Sequence, residues 1–226
     1  MIIAIDGPSG AGKSTLGKML AKNLGLLYLD TGAMYRAVGF AVLKTGADLE
    51  NQNQVVEIAR RSKIELVGEP ENLQVFLNGE NITSEIRTPE VGQAASIVST
   101  ISEVRKILVE HQRTLGENAP TGCVLDGRDI GTVVFPNADV KFFLTAKPEA
   151  RAQRRYEEDR AHGRVSSYEE TAAEINQRDA RDVSRADSPL SIAADAIVVD
   201  TSELDLTEVY DLMLERLKDK GEKVKK

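Results

Sequence analysis

The sequence predicts an α/β fold: a five-stranded parallel sheet with helices on both faces, interrupted by an insertion carrying a small antiparallel sheet and by a helical excursion. Three observations carry this. Apolar runs at Ile2 to Ile5, Leu26 to Leu29, Cys123 to Leu125, Val140 to Leu144 and Ala196 to Val199 are bounded by Gly, Asp or Pro. None alternates cleanly with polar residues, which is how strands buried on both faces read. Apolar residues at helical spacing accompany them, and about 90 residues separate the second run from the third, far more than one crossover helix needs.

Taken in order, the first strand enters a glycine-rich turn and then a helix with Leu16, Met19, Leu20 and Leu24 on one face. After the second strand, Asp30-Thr31 reads as the N-cap of a helix carrying Arg36. Inside the insertion, helices are expected around residues 51–62 and 89–98. Ile64 to Val67 and Leu73 to Leu77 read as strands, and Asn78-Gly79 is a hairpin turn before Ile82. Val104, Ile107 and Leu108 mark the helix leading to the third strand. The excursion runs from Pro148 to Pro189: Pro148 suits a first helical position, Ser167 and Glu170 form a capping box for a helix to about Asp182, and His162-Gly163 is the turn between. Val209, Leu212, Met213 and Leu217 line a final helix. The organisation expected is a core of residues 1–36, 99–147 and 186–226, an insertion of about 37–98 and an excursion of about 148–185, with no internal repeat.

Composition narrows the function. The 226 residues carry 29 basic and 36 acidic side chains, a net charge of −7, which argues against a broad basic field for polymeric nucleic acid or anionic membrane. Five Tyr, five Phe and no Trp leave few rings for stacking, so any nucleobase is expected to be read by hydrogen bonds. The single cysteine, Cys123, sits in an apolar strand as an inert core residue, and no run approaches the roughly 18 apolar residues of a membrane span. Met1 to Asp6 lacks the basic start of a secretory leader, so a cytoplasmic location is expected. Lys218, Lys220, Lys223, Lys225 and Lys226 read as a solvated tail, and His111 and His162 have no partner pattern.

The chemistry lies in the loops. Gly7-Pro8-Ser9-Gly10-Ala11-Gly12-Lys13-Ser14, between a strand and a helix, is a phosphate-binding loop: its glycines let backbone N–H groups converge on phosphate oxygens at a helix N-terminus. Lys13 then neutralises the β and γ phosphates and the Ser14 hydroxyl ligates Mg²⁺. Asp126, closing the third strand, is either the carboxylate that holds Mg²⁺ or a cap of the following turn; beside such a loop the metal reading gains. No Glu follows it to activate water. Eight of the chain's 16 arginines, Arg151, Arg154, Arg155, Arg160, Arg164, Arg178, Arg181 and Arg185, fall in a stretch without lysine. Planar guanidinium groups bind phosphate bidentately, so the excursion reads as a lid for phosphoryl transfer, although Glu157, Glu158, Glu169, Glu170 and Glu174 offer ion-pair partners to about half of them.

Asp-Gly-Pro-Ser-Gly-Ala-Gly-Lys at Asp6 to Lys13, Leu-Asp-Thr-Gly-Ala-Met-Tyr-Arg at Leu29 to Arg36, Asp-Gly-Arg-Asp-Ile-Gly-Thr-Val-Val-Phe-Pro at Asp126 to Pro136, and Arg-Asp-x-Arg-Asp-x-x-Arg at Arg178 to Arg185 together resemble the bacterial cytidylate kinases, a branch of the P-loop nucleoside monophosphate kinases. The resemblance spans essentially the whole chain. It implies a P-loop NTPase core, transfer of the ATP γ-phosphoryl group to CMP or dCMP in the presence of Mg²⁺, an acceptor-binding insertion, a mobile lid and a monomer. It puts Gly7, Pro8, Ser9, Gly10, Ala11, Gly12, Lys13, Ser14 and Thr15 on ATP, and Thr31, Arg36, Ser96, Arg105, Arg128, Asp129, Arg178, Asp182 and Arg185 at the acceptor. Lys13, Arg128, Arg155 and Arg178 become the catalytic candidates, and Ser14 and Asp126 the metal ligands. Some relatives carry Gly at position 14, which leaves Thr15 as a second hydroxyl for the ATP phosphates.

Base chemistry divides the acceptor set. Asp129 accepting from the cytosine amino group, with Arg105 and Ser96 at the ring nitrogen and carbonyl, favours cytosine over uracil, which reverses two of those positions. Arg36 and Arg128 suit the acceptor phosphate, and Asp182 with Arg178 the sugar hydroxyls. Three rivals share parts of this pattern. A small-metabolite kinase needs the phosphate loop but not both later motifs; a GTPase switch needs an Asn/Thr-Lys-x-Asp that is absent; a non-catalytic module binds ATP without consuming it.

Overall fold

A computed structural model describes residues 1–161 and 163–224 of the chain, without the side chains of 220–224. His162 of the expected turn, and Lys220, Lys223, Lys225 and Lys226 of the expected solvated tail, therefore lie outside the described residues or side chains; Gly163 itself adopts φ +72°.

The five apolar runs form one parallel sheet. Its strands are β1 (Ile2–Asp6), β2 (Leu27–Asp30), β6 (Cys123–Gly127), β7 (Val140–Thr145) and β8 (Ile197–Asp200), in the order β2-β6-β1-β7-β8. Alternation along each strand feeds both faces. Ile3, Ile5, Tyr28, Val124, Phe142 and Leu144 pack with Leu16 and Leu20 of α1 (Lys13–Leu24) and Val209 and Met213 of α8 (Leu206–Val224). Ala4, Leu29, Cys123 and Leu125 face Val109 of α5 (Ser102–Glu117) and a π-helical turn at Ile130–Val134. Cys123 is buried in this second layer, and burial pushes its thiol up to about 11, as an inert core residue requires.

Between β2 and β6 come α2 (Thr31–Thr45), α3 (Gln52–Arg61), β3 (Ile64–Val67), β4 (Gln74–Leu77), β5 (Glu80–Asn81) and α4 (Pro89–Val98). They share a separate apolar cluster that includes Met34, Val38, Val42, Val55, Ile64, Val75 and Ile82, into which α5 sends Val104 and Leu108. The small antiparallel sheet pairs β3 with β4 and β4 with β5 through a turn in which Asn78 and Gly79 both have positive φ, +53° and +85°. The third strand is shorter than the approach to Ile82 implied: it ends at Asn81, and the Ile82 N–H bonds to the Val75 carbonyl at 2.9 Å.

The excursion is two helices, α6 (Pro148–Ala161) and α7 (Tyr168–Ser184), the second opened by a complete Ser167–Glu170 capping box. Parallel register brings the carboxyl ends of three neighbouring strands level: Asp6 is opposite Gly127, and Asp30 is opposite Asp126. In an open parallel sheet the crevice beyond these ends is where ligands bind.

Candidate functional site

Gly7-Pro8-Ser9-Gly10-Ala11-Gly12 leaves β1 and enters α1 at Lys13. Gly12, the N-cap, has φ +86° and supplies no side-chain cap, so the first N–H groups of α1 face the loop uncapped. Gly7, at φ +148°, lies so close to the Leu144 carbonyl that an added Cβ would sit 2.0 Å from its oxygen. The loop therefore needs glycine there for space as well as for backbone conformation.

Lys13 is only 6% exposed, and its Nζ donates to the Pro8 carbonyl at 2.7 Å. Burial, then the nearby Arg128 guanidinium, hold its ammonium well below the ordinary lysine range, against the pull of Asp126, Asp6 and Asp179. The Ser14 hydroxyl donates to Asp126 Oδ2 at 2.7 Å, and the Tyr28 hydroxyl donates to Oδ1 at 2.8 Å. Burial and the Asp30 carboxylate raise Asp126. Asp126 thus faces the phosphate loop as the motif predicts. Thr15 is exposed.

The residues expected at the acceptor come from α2, α4, α5 and α7 and from the loop after β6. Asp30 caps α2 by accepting from the Ala33 N–H at 2.8 Å, and it also holds Arg36 at 3.1 Å and Arg87 at 3.5 Å. Thr31 is the first residue of α2 rather than its cap; its hydroxyl donates to the Asp126 carbonyl at 2.6 Å, tying β2 to β6. Arg105 of α5 is ion-paired with Asp129, both buried, and its guanidinium lies 5.7 Å from the Tyr35 ring. The Ser96 hydroxyl on α4 accepts from Arg181 of α7 at 3.3 Å, so its own proton is free to be donated.

The arginines of the α6–α7 excursion divide sharply. Arg151 is buried: it donates to the Ser9 carbonyl at 3.0 Å and pairs with Asp179, whose other oxygen accepts the Ser9 N–H at 3.1 Å. One residue from α6 and one from α7 thus hold Ser9 of the phosphate loop. Arg154 binds Thr201, Arg155 pairs with Glu158 and Asp159 on its own helix, and Arg164 pairs with Asp159. Arg178 has no hydrogen bond or ion-pair partner among the described residues; burial and the charges of Arg128, Arg36 and Arg155 bring it down to about 10. Asp182 pairs with Arg128, Nε to Oδ2 at 2.6 Å, and with Arg185 at the end of α7.

Five participants carry no assigned role in the sequence. Tyr28 lies within an apolar run, Arg87 lies outside every motif, and Asp179 and Arg151, one inside a motif and one among the excursion arginines, carry no signal of the partner each takes. Asp6 is the fifth, 4% exposed and bonded to the Ile130 and Gly131 N–H groups; its place between a strand and the phosphate loop was the available signal.

Among the described residues no helix is long and apolar enough to cross a membrane. A family model described as cytidylate kinase matches residues 3–219. A cytidylate kinase of Caldanaerobacter subterraneus subsp. tengcongensis is 51% identical, covering 96% of this chain and 94% of its own length. A cytidylate kinase of Bacillus subtilis is 45% identical, with 97% of each chain covered. Among solved structures, an uncharacterized protein from Eubacterium ventriosum aligns over 97% of this chain and 98% of its own with a TM-score of 0.53 and 13% identity, a likeness of fold alone.

Proposed function

The chain belongs to the cytidylate kinase family, and from that membership we infer that it transfers the γ-phosphoryl group of ATP to CMP or dCMP, giving ADP and CDP or dCDP. The observation that carries the reading is the shared rim of the sheet: a phosphate loop with a buried Lys13 opens beside a buried Arg105–Asp129 pair able to read cytosine, with Arg36, Arg128 and Arg178 between them.

The assignments follow from chemistry. Gly7 to Thr15 bind ATP. Arg36 and Arg128 take the acceptor phosphate, each already partnered by a carboxylate, Asp30 or Asp182, that fixes its direction. Asp182 with Arg178 serves the sugar, with Arg185 beside them, Thr31 steadies the floor of the site, and Arg155 joins from the lid. The acceptor is a phosphate monoester, anionic at neutral pH, so no general base is needed; catalysis is alignment and neutralisation by Lys13, Arg128 and Arg178, with closure excluding water. A core of 1–36, 99–147 and 186–226, an acceptor-binding insertion of about 37–98 and a lid of about 148–185 are the working parts. A monomeric state and a cytoplasmic location are carried over from the sequence resemblance.

Ser14 Oγ and the Asp126 carboxylate fit Mg²⁺: both are hard oxygen donors, and no cluster of three or more His, Cys, Asp or Glu competes among the described residues. Such a sparse donor set suits an ion that keeps waters and takes phosphate oxygens as its remaining ligands. When bound, it neutralises phosphate charge. Asp126→Asn is expected to weaken ATP binding about tenfold in the presence of Mg²⁺ and to leave it unchanged in chelator, as read by calorimetry.

Selectivity tests the acceptor assignment. Asp129→Asn is expected to lower the ratio of kcat/KM for CMP over UMP at least about tenfold, because an amide can donate to the uracil carbonyl where a carboxylate repels it. It also lowers stability by about 3 kcal/mol, since Arg105 loses its buried counter-charge. An unchanged ratio removes Asp129 from base recognition.

A further inference from the structure

Both carboxylate oxygens of Asp6 are taken by backbone. Oδ1 accepts the Ile130 N–H at 2.8 Å and Oδ2 the Gly131 N–H at 2.7 Å. These are the first two donors of the π-helical turn, and the residue at its N-cap is Asp129. An aspartate at an N-cap ordinarily accepts an N–H two or three residues further on, as Asp30 does from Ala33. Asp129 does not. It makes no side-chain cap bond, its backbone has φ −144° and ψ 23°, and its carboxylate goes to Arg105.

The other end of the turn is also held from outside. Arg113 of α5 donates to the Val134 carbonyl at 2.9 Å and to the Val133 carbonyl at 2.7 Å. The fit around Gly131 is close: a Cβ there would lie 3.0 Å from Lys141 Cδ and 3.4 Å from Asp6 Oδ2. Backbone donors left unmet in this buried place are costly, and the side chain at an N-cap is the one that ordinarily accepts them, so without Asp6 they draw on the Asp129 carboxylate.

We propose that Asp6 is a positioning residue for substrate selection: by capping the turn from the neighbouring strand, it releases the Asp129 carboxylate to face Arg105 and the cytosine amino group. Because Asp6 directly precedes Gly7, the same residue joins the strand that launches the ATP loop to the loop that reads the acceptor. This role rests on Asp129 being the base-reading carboxylate.

The test is the CMP-over-UMP ratio of kcat/KM at saturating ATP, in which donor-site effects common to both acceptors cancel. It is measured for Asp6→Asn, Asp129→Asn and the double variant. Asn at position 6 keeps one acceptor oxygen and turns an N–H₂ toward the second backbone donor. Asp6→Asn is expected to lower the ratio about tenfold, and the double variant to fall no further than Asp129→Asn alone, since both changes act through one carboxylate. Should Asp129→Asn lower the ratio while Asp6→Asn slows both acceptors equally, the positioning role is overturned and the Asp129 assignment stands. Additive losses in the double variant also overturn it. A ratio unmoved by Asp129→Asn overturns the assignment and the positioning role together. If Asp6→Asn does not fold, Asp6→Ser, whose hydroxyl accepts one N–H, is read against the same outcomes.

Discussion

Replacing Lys13 with methionine lowers kcat at least about 100-fold and leaves the ligand-free protein at neutral pH as stable as the parent or more so. The two halves have one cause. The ammonium is buried, its only neutral anchor among the described residues is the Pro8 carbonyl at 2.7 Å, and burial together with Arg128 holds it well below the ordinary lysine range. A base whose folded pKa is depressed binds its proton less tightly in the native state than in the unfolded chain. It therefore costs stability fully below the folded pKa, and the cost fades as pH rises through the folded value toward the unfolded one. Methionine removes that cost and fills similar volume, while it removes the charge that neutralises the transferring phosphoryl group. Steady-state kinetics beside thermal melts checks both. A variant that melts normally and retains more than about a tenth of parental kcat removes Lys13 from the mechanism.

Arg178→Met is expected to lower kcat/KM for CMP at least about 100-fold with ligand-free stability unchanged or raised. Arg178 sits among Arg128, Arg36 and Arg155, which together with burial bring it to about 10, and it has no carboxylate of its own among the described residues. At neutral pH it is still charged, below both its folded and its unfolded pKa, so the repulsion is fully present in the folded protein. An anion placed among these groups relieves it. Inorganic phosphate is therefore expected to raise the melting temperature of the parent more than that of Arg178→Met. Equal stabilisation of the two shows that Arg178 does not serve the phosphate site.

Most of the fold could be read from the chain because its signals are local. Strands buried on both faces must be continuously apolar, so Ile2 to Ile5 and Val140 to Leu144 announce a parallel sheet without any knowledge of their neighbours. The Ser167–Glu170 box and the Asn78-Gly79 turn satisfy backbone donors or torsions within a few residues, and both form as expected. The phosphate loop is legible for the same reason. Partnerships across the molecule are not. Asp182 lies four residues beyond Arg178 on α7, yet it binds Arg128 and Arg185. Arg151 and Asp179 are 28 residues apart and meet at Ser9. Nothing in the Asp129 motif announces that Asp6, 124 residues before Ile130, caps its turn. Each such pairing depends on which strand ends the sheet brings level.

The most direct test of the central claim offers ATP with CMP, dCMP, UMP, AMP and shikimate in parallel to the purified protein and measures ADP formation through a coupled assay. The arrangement of Asp129, Arg105 and Ser96 beside the phosphate loop predicts the highest kcat/KM with CMP or dCMP, and little turnover with shikimate. Equal or greater turnover of UMP, AMP or shikimate contradicts it.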